Sequence, residues 1–218
     1  MSQTFAQFKT RLAANVLRSD LTNFYGQYIN EALQEIQNRR SWLQMKAEVN
    51  LSVPVGDGRE TVTLPANFKE LQHRTAVEYL ADDGGFIPAD VVTEEQQIFR
   101  VWAFGGTPIS TWPPRVFLLR QATSSLLGVL EPLIQPFNFR VRYYGYLPDL
   151  VADADMSPLI NAYPQMVLAK SKSIAFTEIN DPIAVEFETL YEKKLAEAVR
   201  QDAFSETAGR INRMGQGV

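Results

Sequence analysis

A chain of 218 residues with 45% hydrophobic and 11% aromatic content is long and apolar enough to bury a sizeable core, which excludes disorder over its whole length. Lys plus Arg number 21 against 25 Asp plus Glu, and the net charge of -4 argues against a dedicated binder of nucleic acid or of an anionic membrane surface. There is no cysteine and only one histidine, His73, which excludes disulfides, thiolate nucleophiles, Cys-ligated zinc, iron–sulfur clusters and multi-histidine metal sites.

From the N-terminus, Phe5, Phe8, Leu12 and Val16 recur at helical spacing behind Thr4 as N-cap, which predicts an amphipathic helix to about Leu17. Ser19 or Asp20 caps a second helix, with Tyr25, Ile29, Ala32 or Leu33, and Ile36 as its apolar stripe. Arg39 and Arg40 fall in its last turn, where cations complement the helix dipole, and it ends near Ser41 and Trp42.

Nine of the twelve prolines and eight of the twelve glycines lie between residues 43 and 150, so this middle stretch reads as strands and turns. Ala47, Val49, Leu51 and Val53 alternate with polar residues, and Gly56-Asp57-Gly58 turns the chain into Glu60 to Leu64, which predicts a hairpin. Asp82-Asp83-Gly84-Gly85 and Phe104-Gly105-Gly106-Thr107 are further turn signals. Phe137, Phe139, Val141 and Tyr143 alternate with Asn138, Arg140, Arg142 and Tyr144 as another strand. About six to eight short strands follow from this pattern.

Ser157-Pro158 opens a helix carrying Leu159, Tyr163, Met166, Val167, Lys170 and Ile174, with Pro164 tolerated because it sits early. The most apolar helical stretch, 159–176, includes Lys170 and Lys172, and no run approaches the roughly 18 apolar residues of a membrane span, so a soluble protein is expected. Asp181-Pro182 opens the last helix, through Ile183, Phe187, Leu190, Tyr191, Lys194 or Leu195, and Ala198 to about Phe204. Thr207 to Val218, with three glycines and two arginines, reads as a flexible tail. The N-terminal Met1 to Phe5 lacks the basic and apolar regions of a secretion signal, so synthesis in a cytoplasm is expected.

The expected fold class is therefore α+β: a helical bundle built from residues 1–42 and 157–206, with an antiparallel β sandwich or barrel-like domain inserted over 43–150, and a tail over 207–218. Trp42 is the expected structural anchor, packed where the helical and β parts join.

Candidate chemistry is sparse. Asp82-Asp83, Glu94-Glu95 and Asp153 with Asp155 offer oxygen ligands for a hard cation. Asp153 and Asp155 precede a helix, where acids favour the N-terminal dipole, and Asp82-Asp83 sit in a turn, so both pairs read as structural. Neither Gly56-Asp57-Gly58 nor Gly84-Gly85 matches a phosphate-binding fingerprint. No Gly-x-Ser-x-Gly elbow accompanies His73, and the basic pairs Arg39-Arg40, Arg140 with Arg142, and Arg210 with Arg213 lack a recognition-helix pattern. No catalytic, metal or cofactor site is assigned.

One ordered combination carries more information. Ile29-Asn30-Glu31-Ala32-Leu33-Gln34-Glu35-Ile36 closes on Trp42, and Leu64-Pro65-Ala66-Asn67-Phe68 opens the β region. Then come Tyr143-Tyr144-Gly145-Tyr146-Leu147-Pro148-Asp149-Leu150, an acidic loop, Ala162-Tyr163-Pro164 and a final helix rich in Glu and Lys. Over nearly its whole length the chain resembles the bacteriophage head-to-tail adaptor (connector or neck) proteins, particularly those with a β domain inserted in the helical bundle, as in the tail-tubular adaptors of short-tailed phages.

The resemblance implies a non-enzymatic virion protein, made in the host cytoplasm, that forms a ring matching a dodecameric portal and gives the tail its platform. DNA would be a partner only as it passes, non-specifically, through the lumen, and no membrane is involved. It suggests that the tail from Thr207 docks on the portal, Arg210 and Arg213 meeting acids and Ile211 and Met214 filling pockets. The turns at Gly56, Asp57, Gly58, Asp83, Gly84 and Gly105 would then face the tail or nozzle protein. Two other readings stand beside it: another head-closure or tail-completion protein, and a carbohydrate- or small-ligand-binding module with Trp102, Trp112, Tyr143 and Tyr144 as a stacking platform.

Overall fold

The computed structural model describes residues 2–55, 60–81, 84–92, 115–121, 124–130, 133 and 135–214, with side chains through Glu206. The architecture is mixed α+β, and the chain divides into two compact units, one of Met1–Gln44 with Leu147–Val218 and another of Met45–Tyr146.

In the first unit, α1 spans Phe5–Val16 and opens on a capping box: Thr4 Oγ1 accepts from the Gln7 amide at 3.3 Å, and the Gln7 side chain accepts from the Thr4 amide at 3.0 Å. Its buried face is Phe5, Phe8, Leu12 and Val16, the stripe that the spacing predicts. Residues Ser19–Phe24 wind as a 3-10 helix, and α2 begins only at Tyr25 and runs to Arg39. Ser19 and Asp20 thus open the tighter turn, where the Asp20 carboxylate is taken by the Arg18 guanidinium at 2.8 Å.

The single helix expected from Ser157 is two, α3 over Pro158–Ala162 and α4 over Pro164–Glu178. Proline bars its predecessor from helical geometry, and Tyr163 accordingly sits at φ -133, ψ 55, while Pro164 occupies the first turn of α4, where its missing N–H costs nothing. The last helix, α5, spans Ala184–Met214 and so does not stop near Phe204. Between those points only Gly209 is a poor helix former, and one glycine costs about 1 kcal/mol, too little to end a helix already nucleated over several turns.

Nine strands are described in the second unit. A five-stranded sheet has the order β1 (Lys46–Val53), β9 (Phe137–Gly145), β4 (Val77–Leu80), β5 (Phe86–Pro88), with β3 (Phe68–Leu71) pairing the far end of β9. A four-stranded sheet has the order β2 (Thr61–Thr63), β8 (Ser125–Val129), β7 (Arg115–Arg120), β6 (Asp90–Val92). Pairing is antiparallel apart from the parallel β6–β7 contact.

Gly56-Asp57-Gly58 lie outside the described residues, and among the described residues β1 and β2 do not pair as the predicted hairpin. β1 pairs instead with β9, in register from Lys46 opposite Tyr144 to Val53 opposite Phe137, and β2 pairs with β8 in the other sheet. β9 meets all eight residues of β1 along one edge, while the three residues of β2 are taken by the other sheet. By contrast, β4 and β5 do form a hairpin, closed by Gly84 N–H to Ala81 O at 2.9 Å and Ala81 N–H to Gly85 O at 2.8 Å. Gly84 takes φ +82 there, a conformation that favours glycine.

One buried cluster draws on both sheets, with Val53, Val77, Tyr79, Phe139, Val141 and Tyr143 from the first and Val116, Leu127 and Val129 from the second. On the other face of the first sheet, Glu78 binds both Arg140 and Arg142, and Arg142 also reaches Glu48 at 3.2 Å. The cross-strand register places Glu48 opposite Arg142 and Glu78 opposite Arg140, so these arginines make a ladder of opposite charges.

Gly128 on β8 faces Phe117, a fully buried ring, and a Cβ there would run into that ring. Gly128→Ala should therefore lower unfolding free energy by about 1 to 3 kcal/mol in urea titration, as expected for overpacking a closed core; an unchanged midpoint would show that Phe117 has room to move.

Candidate functional site in the helical unit

Sequence spacing places two charged residues, Lys170 and Asp202, on faces that the helical unit buries. Asp202 on α5 accepts the Tyr163 hydroxyl at 3.0 Å, the Leu43 amide at 3.3 Å and the Arg40 guanidinium at 3.4 Å. Trp42, wholly buried beside them, donates its indole N–H to the Ile36 carbonyl at 3.0 Å, and its ring centroid lies 5.1 Å from that of Tyr163. The Arg40 guanidinium stands 5.7 Å from the Trp42 ring. One carboxylate thus ties the end of α2 to the start of α4 through α5. Burial, followed by the bond to Asp202 and its negative charge, pushes the Tyr163 phenol up to about 12.

Lys170 on α4 reaches Glu35 of α2 at 2.8 Å and Glu188 of α5 at 3.0 Å. Ser173 donates to Glu188 at 2.7 Å, and Arg39 spans Glu35 at 3.3 Å and Glu192 at 2.6 Å. Burial acts to raise the Glu188 carboxyl, but the bonds from Ser173 and Lys170 outweigh it and hold the group below its usual range. Tyr191 lies beneath both cations, 5.0 Å from Lys170 Nζ and 5.5 Å from the Arg39 guanidinium carbon. Its hydroxyl is buried without a hydrogen-bond partner, and desolvation pushes its phenol up to about 12. A cleft of about 490 Å³ opens beside this network, with Glu35, Lys170, Ser173, Thr177, Val185 and Glu188 along it. Of the three carboxylates along it, Glu35, Glu178 and Glu188, the first and last are bonded to Lys170 and so hold three helices together.

The acidic loop also works differently from its sequence reading. Asp153 and Asp155 serve α1 rather than the helix that follows them: their backbone carbonyls accept from Ala6 at 3.1 Å and Phe5 at 2.7 Å, and the Asp153 carboxylate meets Lys9 at 2.6 Å. The Asp155 carboxylate accepts the amides of Val151 and Ala152, both at 2.8 Å, which hold it below the usual carboxylate range. No cluster of metal-ligating side chains occurs among the described residues. His73 is exposed and bonded to Thr75 at 2.9 Å.

Other candidates from the sequence are dispersed. Tyr143 is buried against Phe68, ring centroids 5.6 Å apart, whereas its neighbour Tyr144 alternates to the opposite face of β9, so the two tyrosines do not share a stacking surface. Trp102 and Trp112 lie outside the described residues, as do Gly56, Asp57, Gly58, Asp82, Asp83, Glu94, Glu95 and Gly105. Gly84 is exposed in the β4–β5 turn. Arg210, Ile211, Arg213 and Met214 occupy the final turns of α5.

Sequence reading did not single out Glu35, Glu188 or Asp202. The available signal was Lys170 inside the apolar stripe of α4, and Asp202 one turn after the buried Ala198 on α5, since a charge on a buried stripe requires a partner.

Asp202→Ala should destabilise the chain by about 3 kcal/mol in urea titration, because it strands the Tyr163 hydroxyl and the Leu43 amide, and Asp202→Asn by less, because an amide oxygen can still accept. A loss below about 1 kcal/mol for the alanine variant would show the bonds to be dispensable. The tyrosines give a second test. Both phenols stay protonated in the folded chain above their ordinary value of 10.0, so their contribution to stability is level below pH 10, where folded and unfolded chains hold these protons alike, and falls between pH 10 and about 12 as only the unfolded chain releases them. Tyr191→Phe should lessen that fall at little cost at neutral pH, since the hydroxyl has no partner to lose; an unaltered alkaline profile would contradict the assignment.

No helix among the described residues is long and apolar enough to cross a membrane. No curated protein matches the chain. The family model described as SU10 adaptor protein matches residues 3–214, nearly the whole sequence, across both compact units. A match over nearly the whole sequence agrees with a phage structural role, and the chain belongs to the SU10 adaptor protein family.

Proposed function

We propose that this adaptor is a ring-forming neck subunit that docks beneath the portal of a phage head and joins it to the tail, with a central lumen for the genome. The observation that carries this reading is the family match over residues 3–214. The shape of α5 supports it. At 1.5 Å per residue the 31 residues of α5 extend about 46 Å, and Asp202 is the last of its buried side chains among the described residues. Beyond it Phe204 is 76% exposed. An exposed phenylalanine on the last part of a helix is the kind of side chain that a second protein can bury.

The portal is the partner assigned to this end, with Arg210 and Arg213 meeting acidic groups and Ile211 and Met214 filling apolar pockets. The turns at Gly56, Gly84 and Gly105, with Asp57, Gly58 and Asp83, are assigned to the tail or nozzle protein. A ring of twelve copies would match a dodecameric portal. The net charge of -4 suits a lumen through which DNA passes, because dense phosphate contacts would retain the genome. The role is structural and needs no cofactor; the protein is made in the host cytoplasm and ends in the virion neck.

The test is sedimentation velocity of the full chain with the portal ring encoded by the same genome, followed by imaging of the complex. The expected result is a stacked ring on the portal, lost on deleting residues 207–218 while the melting curve is retained, since the buried side chains described on α5 end at Asp202. Undiminished portal binding by the truncated chain would move the contact away from the end of α5, and no association by the intact chain would overturn the portal reading itself.

A further inference from the structure

α1 ends in a strained turn. Leu17 adopts the left-handed conformation, φ 54 and ψ 32, to lead the chain out of the helix, with its N–H bonded to Ala13 O at 3.0 Å. Glycine or asparagine is the usual residue there, because a Cβ is strained at positive φ. Leu17 is also 83% exposed, so its side chain gains nothing from burial within the chain. A backbone strain and an exposed leucine at one position are both offset if the side chain is buried by another molecule.

The surroundings indicate which molecule. Arg18 grips Asp20 through two bonds of 2.9 and 2.8 Å, and both groups are exposed. Arg18 also feels the charge of Asp181, and Lys172 bonds Asn15 at 2.9 Å, which places Leu17 at the end of the helical unit where α4 finishes. At the start of α4 there is a pocket of about 190 Å³ with Ala162, Pro164, Met166, Ala198 and Gln201 in its wall. Its rim carries a second exposed ion pair, Lys194 to Glu197 at 2.8 Å.

The structure thus carries an apolar knob with a cation and an anion beside it, and a pocket of mixed lining in which Ala162, Pro164, Met166 and Ala198 are the apolar part and Lys194 and Glu197 the charged part. They are separated by the length of α4, about 20 Å. We propose that neighbouring copies of this chain meet head to tail, with Leu17 of one copy seated in the α4–α5 pocket of the next. Arg18 then meets Glu197, and Asp20 meets Lys194. Exposed pairs of this kind contribute little on their own, so exchanging partners across the interface costs little. Because knob and pocket are different surfaces, the contact is heterologous, which generates a closed ring when its rotation closes. This assignment rests on the ring reading above and locates one subunit contact within it.

Since the chain has no cysteine, disulfide trapping is clean. Leu17→Cys combined with Gln201→Cys, in the full chain assembled on the portal ring and then oxidised, should give a covalent ladder beyond the dimer, while either single variant should not. The two positions are too far apart to bridge within one chain. Rings visible on the portal without a ladder would overturn the contact and leave the ring reading standing; absence of rings from the unmodified chain would overturn both. Leu17→Gly should weaken association between copies about tenfold to hundredfold, the worth of one buried leucine, while raising the melting temperature of the separate chain by relieving the strained turn. Unchanged association in that variant, or a lowered melting temperature, would show that Leu17 serves the fold rather than the interface. Arg18→Glu should weaken association likewise, and adding Glu197→Arg should restore it; no rescue would contradict the exchanged pairing.

Discussion

Two buried charges set the geometry on which the helical unit depends. Lys170 is buried on the inner face of α4, and it is balanced from both sides by Glu35 of α2 and Glu188 of α5. Asp202 is the counterpart of opposite sign, receiving bonds from Arg40, Leu43 and Tyr163. Hydrophobic contacts bring helices together but tolerate sliding, since apolar area is recovered in many registers. A buried charge tolerates no such freedom, because every register that strands it costs several kcal/mol. Burial of Phe8, Leu12, Ile29 and Ile36 accounts for the attraction between helices, and the two charges select among the ways of satisfying it.

In the β unit a single strand has the corresponding position. β9 is bonded along one edge to all of β1, and along its other edge to β4 and then β3. Its alternation sends Phe139, Val141 and Tyr143 into the shared core and leaves Arg140 and Arg142 on the opposite face with Glu78 and Glu48. Slipping β9 by one residue would exchange those two sets and bury both arginines. Here too charge defines a register that apolar area alone would leave loose.

These constraints explain which parts of the fold were readable. Thr4 with Gln7, and the stripe from Phe5 to Val16, define α1 through contacts no more than four residues apart, so spacing alone places it. The alternation in β1 and β9 is equally local and equally legible. Strand pairing is not: nothing between Ala47 and Leu64 states that β1 pairs with a strand some ninety positions away or that β2 joins the other sheet, so the nearby glycine turn suggested a hairpin. Pro164 divided a helix that its apolar spacing showed as continuous, because the constraint acts on Tyr163 and leaves the spacing untouched. The charge nodes were half legible. Lys170 showed on the stripe of α4, but its partners come from helices whose faces can be matched only after packing is known.

The same contacts also fix the protonation of the groups they join. Glu188 is held ionised by Ser173 and Lys170, and Tyr163 is held protonated beside Asp202. A general acid or base needs the opposite, a group whose two protonation states are close in free energy near working pH. These groups have been driven away from that condition by the contacts that fix the helices. Among its exposed side chains the helical unit carries the apolar Leu17, Val151, Val185 and Phe204. Such side chains recognise shape, and they do so with little loss of freedom on binding when the backbone beneath them is already fixed. Internal charge and exposed apolar side chains are therefore linked: the buried ions fix the backbone from which those side chains project, and the proposed contact at Leu17 would draw on that rigidity.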